Sequence, residues 1–495
     1  MTEDNQGLRK LPEGWAWTLL GEIHIDRSRA ITPKKSPEEM FELYSVPSFD
    51  NGEPEIVSGK QIGSNKQVVD EETVLLCKIN PRINRVWIVG DRSPHMKIAS
   101  TEWIPFFKQE EVNPKYLSYF MRNSDFRAFL SLNVSGVGGS LMRIKASTIA
   151  EYPVPLAPFN EQRRIVARLE ELFTCLDAGV EGLRKVKAQL KRYRQAVLKY
   201  AFDGKLTEEW RKTYKDQIEP ATKLLDRIKQ ERKKDQKYEE LPQIDTSELP
   251  EIPEDWVWTR VGVVGEIVTG KTPRKSHPEY YGRDYPFFKP TDLNAGFYTK
   301  SSIDGLSKSG IRYARLLPEK TVLVTCIGAT IGKTGLTRIE GACNQQINAI
   351  IVDRQISPEF VYFMCVSPQL QKSIITEASA TTLPILNKSR FELLPIPMPS
   401  RFEQQQIVEE VEHCFSEIET VEKIVEQSLE RAVRLRQSVL KRAFEGKLVA
   451  QDPSDEPAEK LLERIREERA KSKGEKDFNK KKTKLQQLEL STYVK

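Results

Sequence analysis

Apolar residues recur along this chain with two different periods, and the change between them marks its organisation. From Leu11 to about Pro158 the chain consists of short apolar runs broken by Gly, Pro, Asn and Asp, among them TVLLCKI (73–79), RVWIVG (85–90) and STEWIPFF (100–107). Their β-branched and aromatic content, with turn residues at short intervals, predicts strands. One helix is expected over NPKYLSYFMRNSDFRAFL (113–130), with Asn113 as its cap and Pro114 in its first turn. A glycine-rich loop, SGVGGSLMRIKAS (135–147), leads to Arg143 and Lys145, and the strand EYPVPLAP closes the region.

At Asn160 the period lengthens to three or four. Ile165, Leu169, Leu172, Leu176, Val180, Leu183, Val186, Leu190, Tyr193 and Val197 form a heptad-like stripe with charged residues between them. Such a helix would be about 60 Å long, more than one small domain can cover. A second stripe runs through Ile407, Val411, Cys414, Ile418, Val425, Leu429, Ala432, Leu435 and Val439. Gly204 and Gly446 are expected C-terminal caps, and Ser400 with Glu403 is expected to form a capping box. Burying the stripes against each other is the simplest solution, antiparallel if the halves are related by a two-fold.

The two stripes belong to a long internal repeat. RQAVLKYAFDGKL (194–206) and RQSVLKRAFEGKL (436–448) agree at ten of thirteen positions, at an offset of 242. The match extends upstream to PVPLAPFNEQRRIV and PIPMPSRFEQQQIV, and LPEGWAWT near Leu11 recurs as IPEDWVWT near Ile252. Each long helix is followed by a charged helical stretch, EPATKLLDRIKQER (219–232) or EPAEKLLERIREER (456–469). The chain is therefore one unit of about 240 residues written twice. Two copies suit internal pseudo-two-fold symmetry, and with it a target in two halves. The globular parts diverge while the helices match, which implies a common scaffold holding two different readers. The expected class is α+β, with two β-rich globular domains separated by two long antiparallel coiled-coil helices. The expected boundaries are 1–158 and 251–399 for the domains and 159–210 and 400–450 for the helices. A charged helical linker at 211–250 and a charged helix with a lysine-rich tail at 451–495 complete the chain.

Composition narrows the class. At 39% hydrophobic and 30% charged residues, with mean hydropathy −0.51, the 495-residue chain suits a soluble protein of several domains. It has no apolar run of membrane-spanning length and does not open like a signal peptide. Six scattered cysteines without a CxxC, and four distant histidines, argue for reduced, packed thiols in a cytoplasm rather than a zinc site or disulfide framework. A net charge of +6 is compatible with a polyanionic partner without requiring one.

The chain carries little that matches a catalytic signature. Gly265 through Gly270-Lys271-Thr272 has the letters of a phosphate-binding loop, but Pro273 follows where the phosphate-facing helix would have to begin. Gly328 to Gly332-Lys333-Thr334 has the wrong spacing. Asn80-Pro81-Arg82-Ile83 is similar to the Asn-Pro-Pro-aromatic motif of adenine methyltransferases, and Arg82 breaks it. What stands out instead is polar and cationic residues in the turns of the β-rich regions. In the first they are Lys78, Arg82, Asn84, Arg85, Arg143 and Lys145. In the second they are Lys271, Arg274, Lys275, Lys289, Asp292, Asn294, Lys333, Asn344, Gln345 and Gln346, then Thr381, Thr382, Asn387 and Lys388. Arg and Lys suit guanine edges and phosphates, Asn and Gln suit adenine; most single surface cations are merely solvated. Trp15, Trp17, Trp256 and Trp258 are expected in cores. A phosphate-loop nucleotidase and a coiled-coil scaffold for protein-binding domains are the rival readings.

In layout the chain resembles the specificity subunits of type I restriction–modification systems. The marks are LPEGW and IPEDW, GKTP…FFKPTDL, GATIGKTG…ACNQQI, the proline-rich strands leading into NEQRRIV and FEQQQIV, and AFDGKL and AFEGKL. The resemblance implies two target-recognition domains, each reading one half of an asymmetric bipartite site in double-stranded DNA, with the helices as a spacer. It implies a non-catalytic chain without its own cofactor. Two modification subunits would carry S-adenosylmethionine and methylate adenine, and two restriction subunits would use ATP and Mg. Leu198, Phe202 and Leu206, with Leu440, Phe444 and Leu448, are expected either to dock modification subunits or to close the helix pair.

Overall fold

The computed structural model describes residues 9–24, 29–134, 142–234, 240–378 and 384–471. They divide into two compact units, one of residues 1–182 with 427–495, the other of residues 183–426.

In each unit the opening tryptophan stretch pairs with the proline-rich stretch that closes the domain. Ala16–Leu19 lies antiparallel to Pro153–Leu156, with Trp17 opposite Pro155. Val257–Arg260 lies antiparallel to Pro395–Met398, with Trp258 opposite Pro397. Prolines are tolerated because each ribbon has only two strands and so has free edges on both sides. Around the ribbon, the first unit holds a five-stranded sheet and a three-stranded sheet in which Val74–Cys77 lies between Val86–Ile88 and Trp103–Phe106. The second unit holds a four-stranded sheet centred on Val322–Thr325 and Ile347–Val352, and a three-stranded sheet centred on Tyr281–Phe288.

The long helices run Phe159–Phe202 and Arg401–Phe444. Their first turns explain the repeated Glu-Gln pair. Glu161 accepts from Trp15 Nε1 at 3.0 Å, and Glu403 from Trp256 Nε1 at 2.8 Å. Gln162 accepts from the Asn113 backbone N–H at 2.9 Å and donates to the Ala157 carbonyl; Gln404 accepts from Ser357 N–H at 3.0 Å and donates to the Pro399 carbonyl. A buried carboxylate and amide thus pin each helix start to its domain. The expected capping box is half made: Glu403 N–H donates to Ser400 Oγ at 3.2 Å, while the carboxylate turns to Trp256.

The helices pack together antiparallel. In the first unit Asp177 meets Arg436; in the second Lys187 meets Glu426 and Arg194 meets Glu422. One partner number falls as the other rises. Most of the stripe is covered on one face only, and Tyr193 and Leu435, expected within it, are half exposed. Two helices alone cannot enclose a wider stripe. Each helix ends in the domain of the opposite half of the sequence. Phe444 packs on Tyr116 and Phe120, and Phe202 on Phe360. Gly446 and Gly204 terminate the helices at φ +69° each, and a Cβ on either would come within 2.3 Å of a proline ring, Pro12 or Pro253.

Two expectations about helices need correction. The expected helix over 113–130 is two, Pro114–Phe120 and Ser124–Leu132, because Asn123 caps a new start by accepting from Phe126 N–H. The second unit shows the same break, with Pro358–Val366 and Pro368–Glu377 parted at Ser367 before a proline. The charged stretches do more than link. Leu224, Leu225 and Ile228 are buried in the second unit's core, and Ala458, Leu461, Leu462 and Ile465 in the first's.

Candidate nucleic-acid interface

Each domain carries a polar turn between two paired strands. In the first, Val74–Cys77 passes through residues 78–85 into Val86–Ile88. A second segment closes on this turn: Asn80 N–H donates to the Met142 carbonyl at 2.9 Å and Ile144 N–H to the Lys78 carbonyl at 3.0 Å. Lys78, Arg82, Arg143 and Lys145 are thereby gathered. Their charges are not equally available. Arg143 donates to Glu102 at 2.9 Å and Arg85 lies 3.4 Å from Asp50, whereas Arg82 and Lys145 are exposed. Asn84 sits at φ +51° and its amide donates to the Met121 carbonyl, so its side chain is spent on the fold.

In the second domain three loops meet. Residues 343–346 lie against the turn after Gly265–Thr269, where Lys271 N–H donates to the Cys343 carbonyl at 3.0 Å. Thr272 Oγ1 donates to Gln345, which is exposed, while Asn344 and Gln346 bond each other at 2.9 Å. The turn at 326–333 joins them through Cys326 N–H, which donates to the Gln346 carbonyl at 2.7 Å. Lys271, Arg274 and Lys275 are exposed around this edge, and Lys333 is half-buried. Lys289, Asp292 and Lys388 are engaged elsewhere. Lys289 pairs with Asp304, Asp292 accepts from Lys289 N–H, and Lys388 lies 3.5 Å from Glu392. Asn387 caps a short helix by accepting from Arg390 N–H at 2.9 Å, and Asn294 is exposed. Thr381 and Thr382, with the glycine-rich loop at 135–139, lie outside the described residues.

Sequence reasoning missed a ring stack beside Arg274. His277, Tyr280 and Tyr313 lie with centroids 4.9 and 4.2 Å apart, and the hydrogen bond Tyr280 shares with Tyr313 raises its hydroxyl to about 12. Tyr313 is distant in sequence, and no local signal pointed to it.

The six apolar residues at the helix ends face inward. Leu198, Phe202, Leu440 and Phe444 are each 2–3% exposed within domain cores, and Leu206 and Leu448 are half-buried against the same cores. Within each unit the helix end from one half of the sequence inserts into the domain of the other half.

The phosphate-loop letters do not build a phosphate loop. Gly265–Thr269 is a strand paired with residues 348–352, and no helix begins at Lys271. Burial raises the Cys326 and Cys343 thiols to about 12, so both are packed, protonated side chains. Among the described residues no group of three or more His, Cys, Asp or Glu is arranged to hold a metal. None of their helices is long and apolar enough to cross a membrane.

Each unit thus combines a β-rich domain with segments of the two long helices and carries a polar, cation-bearing loop edge. A family model, the type I restriction modification DNA specificity domain, matches residues 12–186 and again 253–430. The chain belongs to that family and has a DNA-specificity role within a type I restriction–modification complex. It is 28% identical over 384 residues to the EcoDI specificity subunit of Escherichia coli, covering 75% of this chain and 80% of that one. The HindI specificity subunit of Haemophilus influenzae is 25% identical, covering 78% and 88%. A chain from a structure describing complex assembly and conformational transition of a type I system superposes with a TM-score of 0.65 at 20% identity, covering 89% of this chain and all of that one. The crystal structure of the HsdS subunit from Thermoanaerobacter tengcongensis gives 0.55 at 19%, covering 89% and 99%.

Proposed function

We propose that this chain reads an asymmetric, bipartite site in double-stranded DNA, one half with residues 1–158 and the other with residues 251–399, in the cytoplasm. The observation that carries the reading is that the specificity-domain match occurs twice, while the loop edges of the two copies bear different side chains. Exposed Lys145, Lys271, Arg274 and Lys275 are assigned to phosphates, and Arg82 and Gln345 to base edges. The unbroken helices at 159–202 and 401–444 set the distance between half-sites. Two modification subunits would supply S-adenosylmethionine and methylate adenine, and two restriction subunits would supply ATP- and Mg-dependent cleavage.

The test is methylation mapping. The chain is expressed with its modification subunit, and host DNA is sequenced for modified adenines. One bipartite motif with a fixed gap is expected. No new methylation from an assembled complex given S-adenosylmethionine would overturn the reading in favour of a protein scaffold. Inserting one heptad into both long helices should lengthen the gap or abolish methylation; an unaltered gap at full efficiency would remove the spacer role.

A further inference from the structure

The two polar turns share one backbone at a constant offset of 248, although their side chains differ. Val74, Leu75 and Leu76 pair with Ile88, Trp87 and Val86; Val322, Leu323 and Val324 pair with Leu336, Gly335 and Thr334. Cys77 N–H donates to the Arg85 carbonyl at 3.0 Å, as Thr325 N–H does to the Lys333 carbonyl at 2.8 Å. Ile83 N–H reaches the Asn80 carbonyl at 3.0 Å, and Ile331 N–H the Gly328 carbonyl at 3.1 Å. The closing segments coincide too: Ile79 bridges Arg143 and Ile327 bridges Ile385. Left-handed backbone falls at the same places, Asn80 (φ +46°) with Gly328 (+97°) and Asn84 (+51°) with Gly332 (+86°). Asn and Gly are the residues that adopt this conformation at least expense. The fold therefore holds the turn rigid in both domains while leaving its apex free to vary.

At the apex stand Arg82 and Thr330, both exposed. Among the described residues Arg82 makes no side-chain hydrogen bond or ion pair, although its neighbours Arg143 and Arg85 are both engaged by carboxylates. A guanidinium on a fixed turn, kept clear of carboxylates, is poised for a bidentate partner; a threonine offers a methyl and a hydroxyl of short reach. We propose that residues 82 and 330 are equivalent specificity-determining positions, Arg82 selecting a guanine through O6 and N7 and Thr330 selecting a thymine through its C5-methyl group. This rests on the DNA-reading function proposed above and names which side chains divide the two half-sites.

The experiment compares genome-wide adenine methylation by the assembled complex containing the wild-type chain, Arg82→Thr or Thr330→Arg. The R82T complex should lose about ten- to a hundredfold preference for guanine at one position of one half-site, with the other half unchanged. T330R should change one position in the opposite half-site. An unaltered motif at full efficiency in both variants would overturn the proposal. So would a uniform fall across all sites with the motif intact, which would make these residues phosphate contacts. Both exposed substitutions leave the core untouched, and thermal melting of each variant checks that. If the wild-type complex itself methylates no defined motif, the broader reading fails instead, which separates the two failures.

Discussion

Glu161 and Glu403 occupy equivalent positions in the two halves, and only one of them is well satisfied. Both are buried and both accept a tryptophan N–H. Glu403 also receives Thr207 Oγ1 at 2.7 Å and the Arg211 guanidinium at 2.9 Å. The corresponding oxygen of Glu161 has no partner, and burial pushes its carboxyl above the usual range, with the Trp15 bond opposing. The cause lies just past each helix end. Carrying the 242 offset onward sets Val449 opposite Thr207 and Pro453 opposite Arg211, so the first unit lacks both donors. Duplication preserved the tryptophan–glutamate pin, and local divergence decided whether its charge is compensated.

Substitutions at paired positions should show where the halves are equivalent and where they are not. The largest effects are expected from the charged helices and from Glu403. Leu224→Ala and Leu461→Ala, at 2% and 1% exposure, should each destabilise their own unit by about 3 kcal/mol, read by unit-resolved hydrogen exchange. An effect near zero would return those helices to the role of mere linkers. Glu403→Gln should cost the second unit about 3 kcal/mol by leaving Arg211 unpaired in a largely buried site. Glu161→Gln should leave the first unit unchanged or more stable by about 1 kcal/mol, since it removes a buried charge with an empty lone pair. Equal losses in the two would erase the contrast.

Smaller effects should follow. Gly204→Ala and Gly446→Ala should each cost about 2 kcal/mol, because both glycines are left-handed and press on a proline; unequal losses would show that the helix ends are not equivalent. The smallest is a pH slope. The folded Glu161 carboxyl binds its proton more tightly than in the unfolded chain, so its contribution to stability is complete below the ordinary carboxylate range. That contribution is lost as pH rises through the raised value. Denaturant melts of the first unit from acid to neutral pH should show this decline in the wild type and not in E161Q.

Much of the fold was legible because it depends on local rules. Strand texture, the change of period at Asn160, the glycine caps and the repeat all follow from backbone preferences and the spacing of apolar residues. The candidate site was legible only as a list of turn residues. Arg82 and Arg143 looked alike in sequence, and the structure separates them: Arg143 is engaged by the Glu102 carboxylate. Asn387 and Asn344 looked like base readers, yet one caps a helix and the other holds a turn. A polar side chain's partner is set by what folds beside it, and that neighbour is commonly far away in the chain.

By itself the sequence determined that there are two copies of one unit, each with a β-rich domain and a long helix, and it carried the family's marks. Only the tertiary structure decided which domain receives which helix end, and so why Phe202 and Phe444 are core residues. It alone revealed that INPRINR and IGATIGK trace the same turn. Periodicity reports what a residue needs to bury, whereas the partner that buries it is chosen by the packing of segments distant in sequence.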